Sequence, residues 1–276
     1  MAGRLLLIGT PIGNLGDLSP RAREAMQRVS LLLCEDTRHT GKLLEHFGID
    51  VPLESHHEHN ESEKLEAILA RLEGGETLGI VSDAGMPLLS DPGFPLVREA
   101  RRRGIVVEPI PGPFAAAVAV SASGLPPMPF AFYGFAPHRK NQRIEFYREI
   151  AGKKMTAAVY ESPHRIVASL EDALEGMGDV EMTLAREMTK LHEELIHGSV
   201  STVLEAIRGR DALRGEITLV FAPAREVETA AIDPAVLKEE FRKLRDEGMR
   251  RGDAIRILAE RHGLRKNELY QALLQE

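Results

Sequence analysis

Eight short apolar runs, at residues 5–8, 31–34, 78–81, 105–108, 130–135, 156–160, 181–185 and 217–221, punctuate the first four-fifths of this chain. Most are separated by segments whose apolar residues recur every three or four positions, as in Leu65, Ile68, Leu69 and Leu72. Short apolar runs suit strands, three-and-four spacing suits helices, and their alternation predicts α/β layers with a largely parallel sheet, at least in the first half. The stretch 111–129 is rich in Pro, Gly and Ala and divides two such halves. After residue 222 the strand pattern stops. APAREVETAAIDP reads as a linker, with Asp233-Pro234 as N-cap and first residue of a helix, and 235–276 reads as three short helices. The expected organisation is an α/β lobe over 1–112, a second over 113–224 and a C-terminal helical domain over 225–276.

Composition narrows the function. A net charge of −7 on 276 residues does not suit general binding of nucleic acid through a basic field, so any RNA contact has to use a local patch. Cys34 is the sole cysteine, which rules out an internal disulfide and a zinc site built on several thiolates. The N-terminal apolar run, 5–8, is too short for a signal peptide or a membrane span and fits a first strand. The expectation is a cytoplasmic protein with no membrane association and no metal.

The turns that follow the strands carry the chemistry. Gly9-Thr10-Pro11-Ile12-Gly13-Asn14-Leu15-Gly16-Asp17 follows the first; it is glycine-rich but is neither a dinucleotide fingerprint nor a Walker loop, and Pro11 removes an N–H where a phosphate cradle needs one. Its plain structural use is a tight turn into a helix begun by Ser19-Pro20. In VSDAGMPLLSDPG (81–93) Ser-Asp occurs twice. Asp91-Pro92 is read as the cap of the following helix, which leaves Asp83 as the ligand contact. A carboxylate at the carboxyl end of a strand repels phosphate and favours a cation or ribose hydroxyls, as found together in S-adenosylmethionine. Pro111-Gly112-Pro113-Phe114 then leads into three alanines, small enough to leave space for a flat ring or to permit close helix packing.

Taken in order, GTPIGNLGDLSPRA, CEDTRHTGKLLEHFGI, HHEHNE, VSDAGMPLLSDPG, IPGP, YESPHR, AREMTK and GEITLV span nearly the whole chain, and GLRKNELYQALL extends the pattern into the tail. In these motifs the sequence resembles the bacterial ribose-2′-O-methyltransferases that modify a cytidine in the decoding region of 16S ribosomal RNA, a branch of the tetrapyrrole-methylase superfamily. It departs from the family in one place: a small hydroxyl residue usually follows Pro-Gly-Pro, and here Phe114 stands there, so a contact at this position would run through the backbone. The resemblance implies two α/β lobes with S-adenosyl-L-methionine in the cleft between them, a homodimer, and an RNA substrate within the small ribosomal subunit. Carried over by motif, the cofactor contacts are Pro11, Ile12, Asp83, Met86, Phe114, Ala115, Tyr160 and Ala185.

Methyl transfer needs a ribose hydroxyl aligned with the donor and a nearby base or cation to expose its lone pair. The candidates are Glu35, Asp36 and Arg38 after the second strand, Glu161 and Arg165 in YESPHR, and Arg186, Glu187 and Lys190 in AREMTK; foremost are Glu35, Arg38, Glu187 and Lys190. Glu35 and its neighbours are expected at the same sheet edge as Asp83. Each has a plain alternative, Arg186–Glu187 as a surface ion pair and Glu161 as a helix cap. HHEHNE has no metal spacing; His56 or Asn60 is expected to touch RNA. Two basic stretches, 138–154 and 248–267, are the patches open to phosphate, the second with a helix-turn-helix-like turn at 259–264. Two rival readings stay open: a small-molecule tetrapyrrole methylase, and a non-catalytic RNA-binding assembly protein.

Overall fold

The computed structural model describes residues 3–210, 213–223 and 234–262. The chain divides into two compact units, Met1–Pro223 and Ala224–Glu276. The first unit contains two five-stranded sheets.

The first sheet is built from β1 (Arg4–Ile8), β2 (Leu31–Cys34), β3 (Leu53–Ser55), β4 (Thr77–Ile80) and β5 (Val106–Ile110), in the order β3-β2-β4-β1-β5. Every pairing in it is parallel. Helices α1 (Pro20–Arg28) and α2 (Thr37–Phe47) cover one face, where Met26 and Leu44 meet Leu6, Ile8 and Leu32. On the other face, α3 (Glu61–Glu73) and α4 (Phe94–Arg102) set Leu69, Leu72 and Leu96 against Leu5, Leu33 and Ile80. β1 and β4 are neighbours, yet the helices that follow them leave on opposite faces. Their carboxyl ends therefore frame a crevice, the place where open α/β sheets take ligands.

The second sheet contains β6 (Phe130–Phe135), β7 (Thr156–Glu161), β8 (Glu181–Arg186), β9 (Glu194–Ser199) and β10 (Ile217–Phe221), in the order β6-β7-β10-β8-β9. Only β6 and β7 run parallel; the other three pairings are antiparallel. The alanines expected to leave space form α5 (Ala115–Ala122), whose Ala116 and Ala119 lie close against Ala158 and Val220. The opposite face is covered by α6 (Lys140–Gly152), α7 (Ile166–Met177) and α8 (Val200–Arg208), with Tyr147, Leu170 and Val203 on Leu219 and Phe221.

All eight strands expected from the sequence are present. The two additional ones, β3 and β9, are edge strands: β3 has only three residues, and β9 alternates half-buried and exposed positions. The basic stretch 138–154 is partly internal. Arg143 is buried, donating to Asp172 Oδ2 at 2.8 Å from Nε and lying 2.6 Å from it through Nη2, while its Nη1 donates to the carbonyls of Pro137 and His138. It fastens α6 to α7 and is closed to phosphate.

In the second unit α9 (Pro234–Asp246) and α10 (Arg251–His262) pack Leu237 against Ile255 and Leu258. Pro234 opens α9 as expected; residues 259–262 of the expected 259–264 turn are the last turn of α10, while Asp233, the third helix and residues 263–264 lie outside the described residues. No helix among the described residues is long and apolar enough to cross a membrane.

Removing one partner of a buried ion pair strands the other. Asp172→Ala is expected to lower stability by about 3–5 kcal/mol, read as a reduced urea midpoint; a loss below ~1 kcal/mol would place the pair in the class of surface ion pairs.

Candidate active site

Three loops, after β1, β4 and β5, meet above the crevice. Gly9 and Gly112 lie backbone to backbone: a Cβ on Gly9 would stand 2.5 Å from Gly112 Cα, and one on Gly112 would stand 2.7 Å from Gly9 Cα. Thr10 and Gly85 exchange backbone hydrogen bonds, Thr10 N to Gly85 O at 2.9 Å and Gly85 N to Thr10 O at 3.2 Å. Thr10 Oγ1 also donates to Ser82 O. The loop after β4 holds two non-glycine residues, Leu88 and Ser90, at positive φ, and such backbone strain concentrates at binding sites.

Beside these loops is a cavity of about 400 Å³, walled by the first sheet's loops on one side and by β7, β10 and α5 on the other. Of the expected cofactor contacts it brings together Ile12, Asp83, Met86, Phe114, Ala115 and Tyr160. Its charged lining is wholly acidic: Asp83, Asp91, Glu161 and Glu216, with no Lys, Arg or His. Glu161 is buried, and its Oε1 accepts from Arg165 at 2.6 Å and from Ser162 N at 2.6 Å, while its Oε2 has no partner. Arg165 itself is occupied by Glu161 and the Ala136 carbonyl. Burial pushes the Tyr160 phenol up to about 12, against a hydrogen bond with the Ala116 backbone.

Two of the expected cofactor contacts fall elsewhere. Pro11 lines a second, adjoining cavity. Ala185 is buried beneath α5, paired in register with Thr218, which does reach the first cavity. Phe114 is the N-cap of α5 without a side-chain capping bond, and its ring packs edge-on against Phe132 at 5.1 Å.

Asp91 corrects the sequence reading. α4 begins at Phe94 with Gly93 as N-cap, and the carboxylate that reaches Gly93 N, at 3.1 Å, belongs to Glu61. Asp91 instead lines the cavity. Burial first, and then the charges of Glu35 and Asp83, raise its carboxyl to about 7. The echo of Ser82-Asp83 in Ser90-Asp91 was the signal: both copies lie on one cavity wall.

The acceptor-side candidates form two groups. Asp36 caps α2, taking Arg38 N at 2.8 Å, and pairs in two-pronged fashion with the exposed Arg38 guanidinium. Its own N–H reaches Asp83 Oδ1 at 3.4 Å, which puts this group at Asp83's sheet edge as expected. Glu35 is exposed, and burial together with Asp83 and Glu58 raises its carboxyl. The other group lies after β8. Lys190 Nζ donates to Glu187 Oε1 at 2.8 Å and to Glu216 Oε2 at 3.2 Å. Burial lowers the Lys190 ammonium, but these carboxylates outweigh it and hold the group above the usual lysine range, while Lys190 holds Glu187 below the usual carboxylate range. Glycine at 13 admits this arrangement, because a Cβ there would meet Lys190 Cγ at 2.5 Å. Asn14 N donates to Thr189 Oγ1 at 3.1 Å, tying the β1 loop to the second sheet. Arg186 pairs with Glu194 at 3.1 Å, not with Glu187.

The HHEHNE expectation fails for His56, which is 1% exposed behind a backbone bond to Cys34 O. Asn60 is used internally, accepting from His57 N and donating to Ser55 O. Among the described residues no group of His, Cys, Asp and Glu could hold a metal ion.

The profile of the tetrapyrrole (corrin/porphyrin) methylases matches residues 4–204. A curated protein of Synechocystis sp., ribosomal RNA small subunit methyltransferase I, is 41% identical over 99% of this chain and 98% of its own. The protein of that name from Escherichia coli O157:H7 is 41% identical over 99% of this chain and 96% of its own. That from Thermotoga maritima is 44% identical over 220 residues, 80% of this chain and 98% of its own. Among solved structures, a cobalt-precorrin-4 methyltransferase superposes with a TM-score of 0.59 at 18% identity, covering 79% of this chain and 94% of that one. A diphthine synthase gives 0.62 at 16%, covering 80% and 90%.

A carboxyl raised from the ordinary value near 3.8 to about 7 binds more protons folded than unfolded between those values. Its contribution to stability therefore falls as pH rises through that window. Asp91→Asn is expected to flatten this part of the stability–pH profile and to raise the melting temperature above pH 7; an unchanged profile would place the Asp91 carboxyl in the ordinary range.

Proposed function

The chain belongs to the tetrapyrrole (corrin/porphyrin) methylases and, within them, with the small-subunit ribosomal RNA methyltransferases, and from that membership we propose that it methylates the 2′-oxygen of a cytidine ribose in the decoding region of 16S ribosomal RNA, using S-adenosylmethionine. The observation that supports the RNA reading is the degree of identity: relatives named for ribosomal RNA methylation are 41% identical over 99% of this chain, whereas the solved cobalt-precorrin-4 methyltransferase is 18% identical. The match to the Thermotoga protein, 220 residues long, is close in length to the two-sheet unit Met1–Pro223, which supports assigning the reaction to that unit. The same reading includes a homodimer acting in the cytoplasm on an assembled small subunit.

The acid-lined cavity fits the cofactor. Its lining without a cation repels a polyphosphate and suits a sulfonium and an ammonium. Ile12, Met86, Phe114 and Ala115 supply the apolar wall. Held by Asp83, Met86 and Phe114, S-adenosylmethionine would supply a methyl on a sulfonium, transferable to the ribose oxygen as the carbon–sulfur bond breaks, with the hydroxyl proton passing to Glu35. The protein's task is alignment, which contributes up to about 7–11 kcal/mol. Lys190, kept protonated by Glu187 and Glu216, is a donor that orients the acceptor. Glu35, exposed beside Asp83, is the group whose surroundings favour taking a proton. Arg38 fixes Asp36 and thereby the loop that carries Glu35.

Labelled cofactor offered with small subunits, naked ribosomal RNA or tetrapyrrole precursors is expected to place label in the ribose of RNA; label in a tetrapyrrole, or binding without transfer, would overturn the reading. Asp83→Asn is expected to weaken cofactor binding about tenfold, about 1.4 kcal/mol by calorimetry. Lys190→Ala is expected to slow turnover at unchanged cofactor affinity, and a parallel loss of affinity would move Lys190 to the donor side.

A further inference from the structure

The second cavity, about 440 Å³, shares Ile12, Asp83, Ala84 and Glu216 with the first, so the two are separated by one thin wall. Their charges differ. The first is lined by carboxylates alone, while the second adds His39, Lys42 and Lys190 to the shared Asp83 and Glu216. Of these charges, Glu216 is matched by Lys190 at 3.2 Å, and Asp83 takes the Asp36 N–H at 3.4 Å. Lys42 has no hydrogen bond or ion pair among the described residues. It lies one turn along α2 from His39, and both are exposed at the cavity rim, with Leu43 beside them.

Two adjoining cavities, one lined by carboxylates and the other adding lysines to them, meet the needs of a transfer between a cationic donor and a polyanionic acceptor. We propose that the second cavity seats the RNA backbone at the acceptor nucleotide, with Lys42 and His39 holding the phosphate next to the ribose that is methylated. This subsite rests on the RNA-methyltransferase reading and extends it to the side of the wall where the polymer enters. It also reconciles a net charge of −7 with an RNA substrate, because positive charge is needed only along α2. Lys42 acts as a compact point charge and His39 as an imidazole donor. Neither reaches the acid-lined cavity, so their loss leaves cofactor binding intact.

The test compares Lys42→Ala and Lys42→Arg with the wild type, using a small-subunit ribosomal RNA fragment and intact small subunits as probes. Removing one phosphate contact is expected to weaken RNA binding about fivefold at 0.15 M salt and to reduce the slope of log K against log salt by about 1. Lys42→Arg is expected to stay near wild type. KM for the RNA rises in Lys42→Ala while kcat holds, and calorimetry gives an unchanged cofactor Kd. Unaltered RNA affinity and salt slope in Lys42→Ala, with wild-type protein still labelling RNA, would remove the subsite alone. A matching loss of cofactor affinity would overturn it by placing Lys42 on the donor side. A wild-type protein that puts no label in RNA would instead remove the reading beneath it.

Discussion

The site depends on how closely the β1 and β5 loops approach. Gly9 and Gly112 touch through their backbones, with no room for a methyl group between them. That contact, with the reciprocal Thr10–Gly85 hydrogen bonds, draws three loops of a parallel sheet into a single rim. Asp83 and Met86 then face Phe114 and Ala115 across one small volume. The strands alone would leave a crevice at their switch point; the glycines narrow it to a site.

Much of this fold is readable from periodicity, because inner strands of both sheets are buried on both faces and are written as unbroken apolar runs. Leu31 to Cys34 are all buried, and so are Ile217 to Phe221. β3 and β9 escape the same reading because edge strands need only half their residues buried: Glu194-Leu195-Ile196-His197 looks like a polar loop until its pairing with β8 is seen. Asp91 was misread for a local reason. Asp-Pro ahead of an apolar segment has the form of a cap, but the cap of α4 comes from Glu61, thirty-two residues away in sequence. Ala185 and the residue paired with it are placed differently by the fold. Its neighbour across the ladder, Thr218, reaches the cavity while Ala185 is covered by α5. Lys42 carries no sequence signal beyond being a lysine on a helix; only the fold puts it on a cavity.

Electrostatics in the first unit are organised by compartment. In one cavity burial, with the charges of Glu35 and Asp83 added to it, raises the Asp91 carboxyl to about 7. The neighbouring Lys190 is locked into a carboxylate bracket. Most other cations near the site are committed: Arg38 to its own helix cap, Arg165 to Glu161, Arg186 to Glu194. Net charge therefore says little about what each compartment accepts. Selectivity lies in which charges are already neutralised by a neighbour.

The strand order also sets a timetable for synthesis. The first sheet is complete once β5 emerges, and every strand in it precedes residue 111. The second sheet cannot close in the same way, because its central strand, β10, is the last to be made. At roughly 5–20 residues per second, β7 and β8 wait some seconds with their inner edges unpaired. During that interval the two strands that flank β10 lack the partner that joins them, so of the two sheets the second is the later to close.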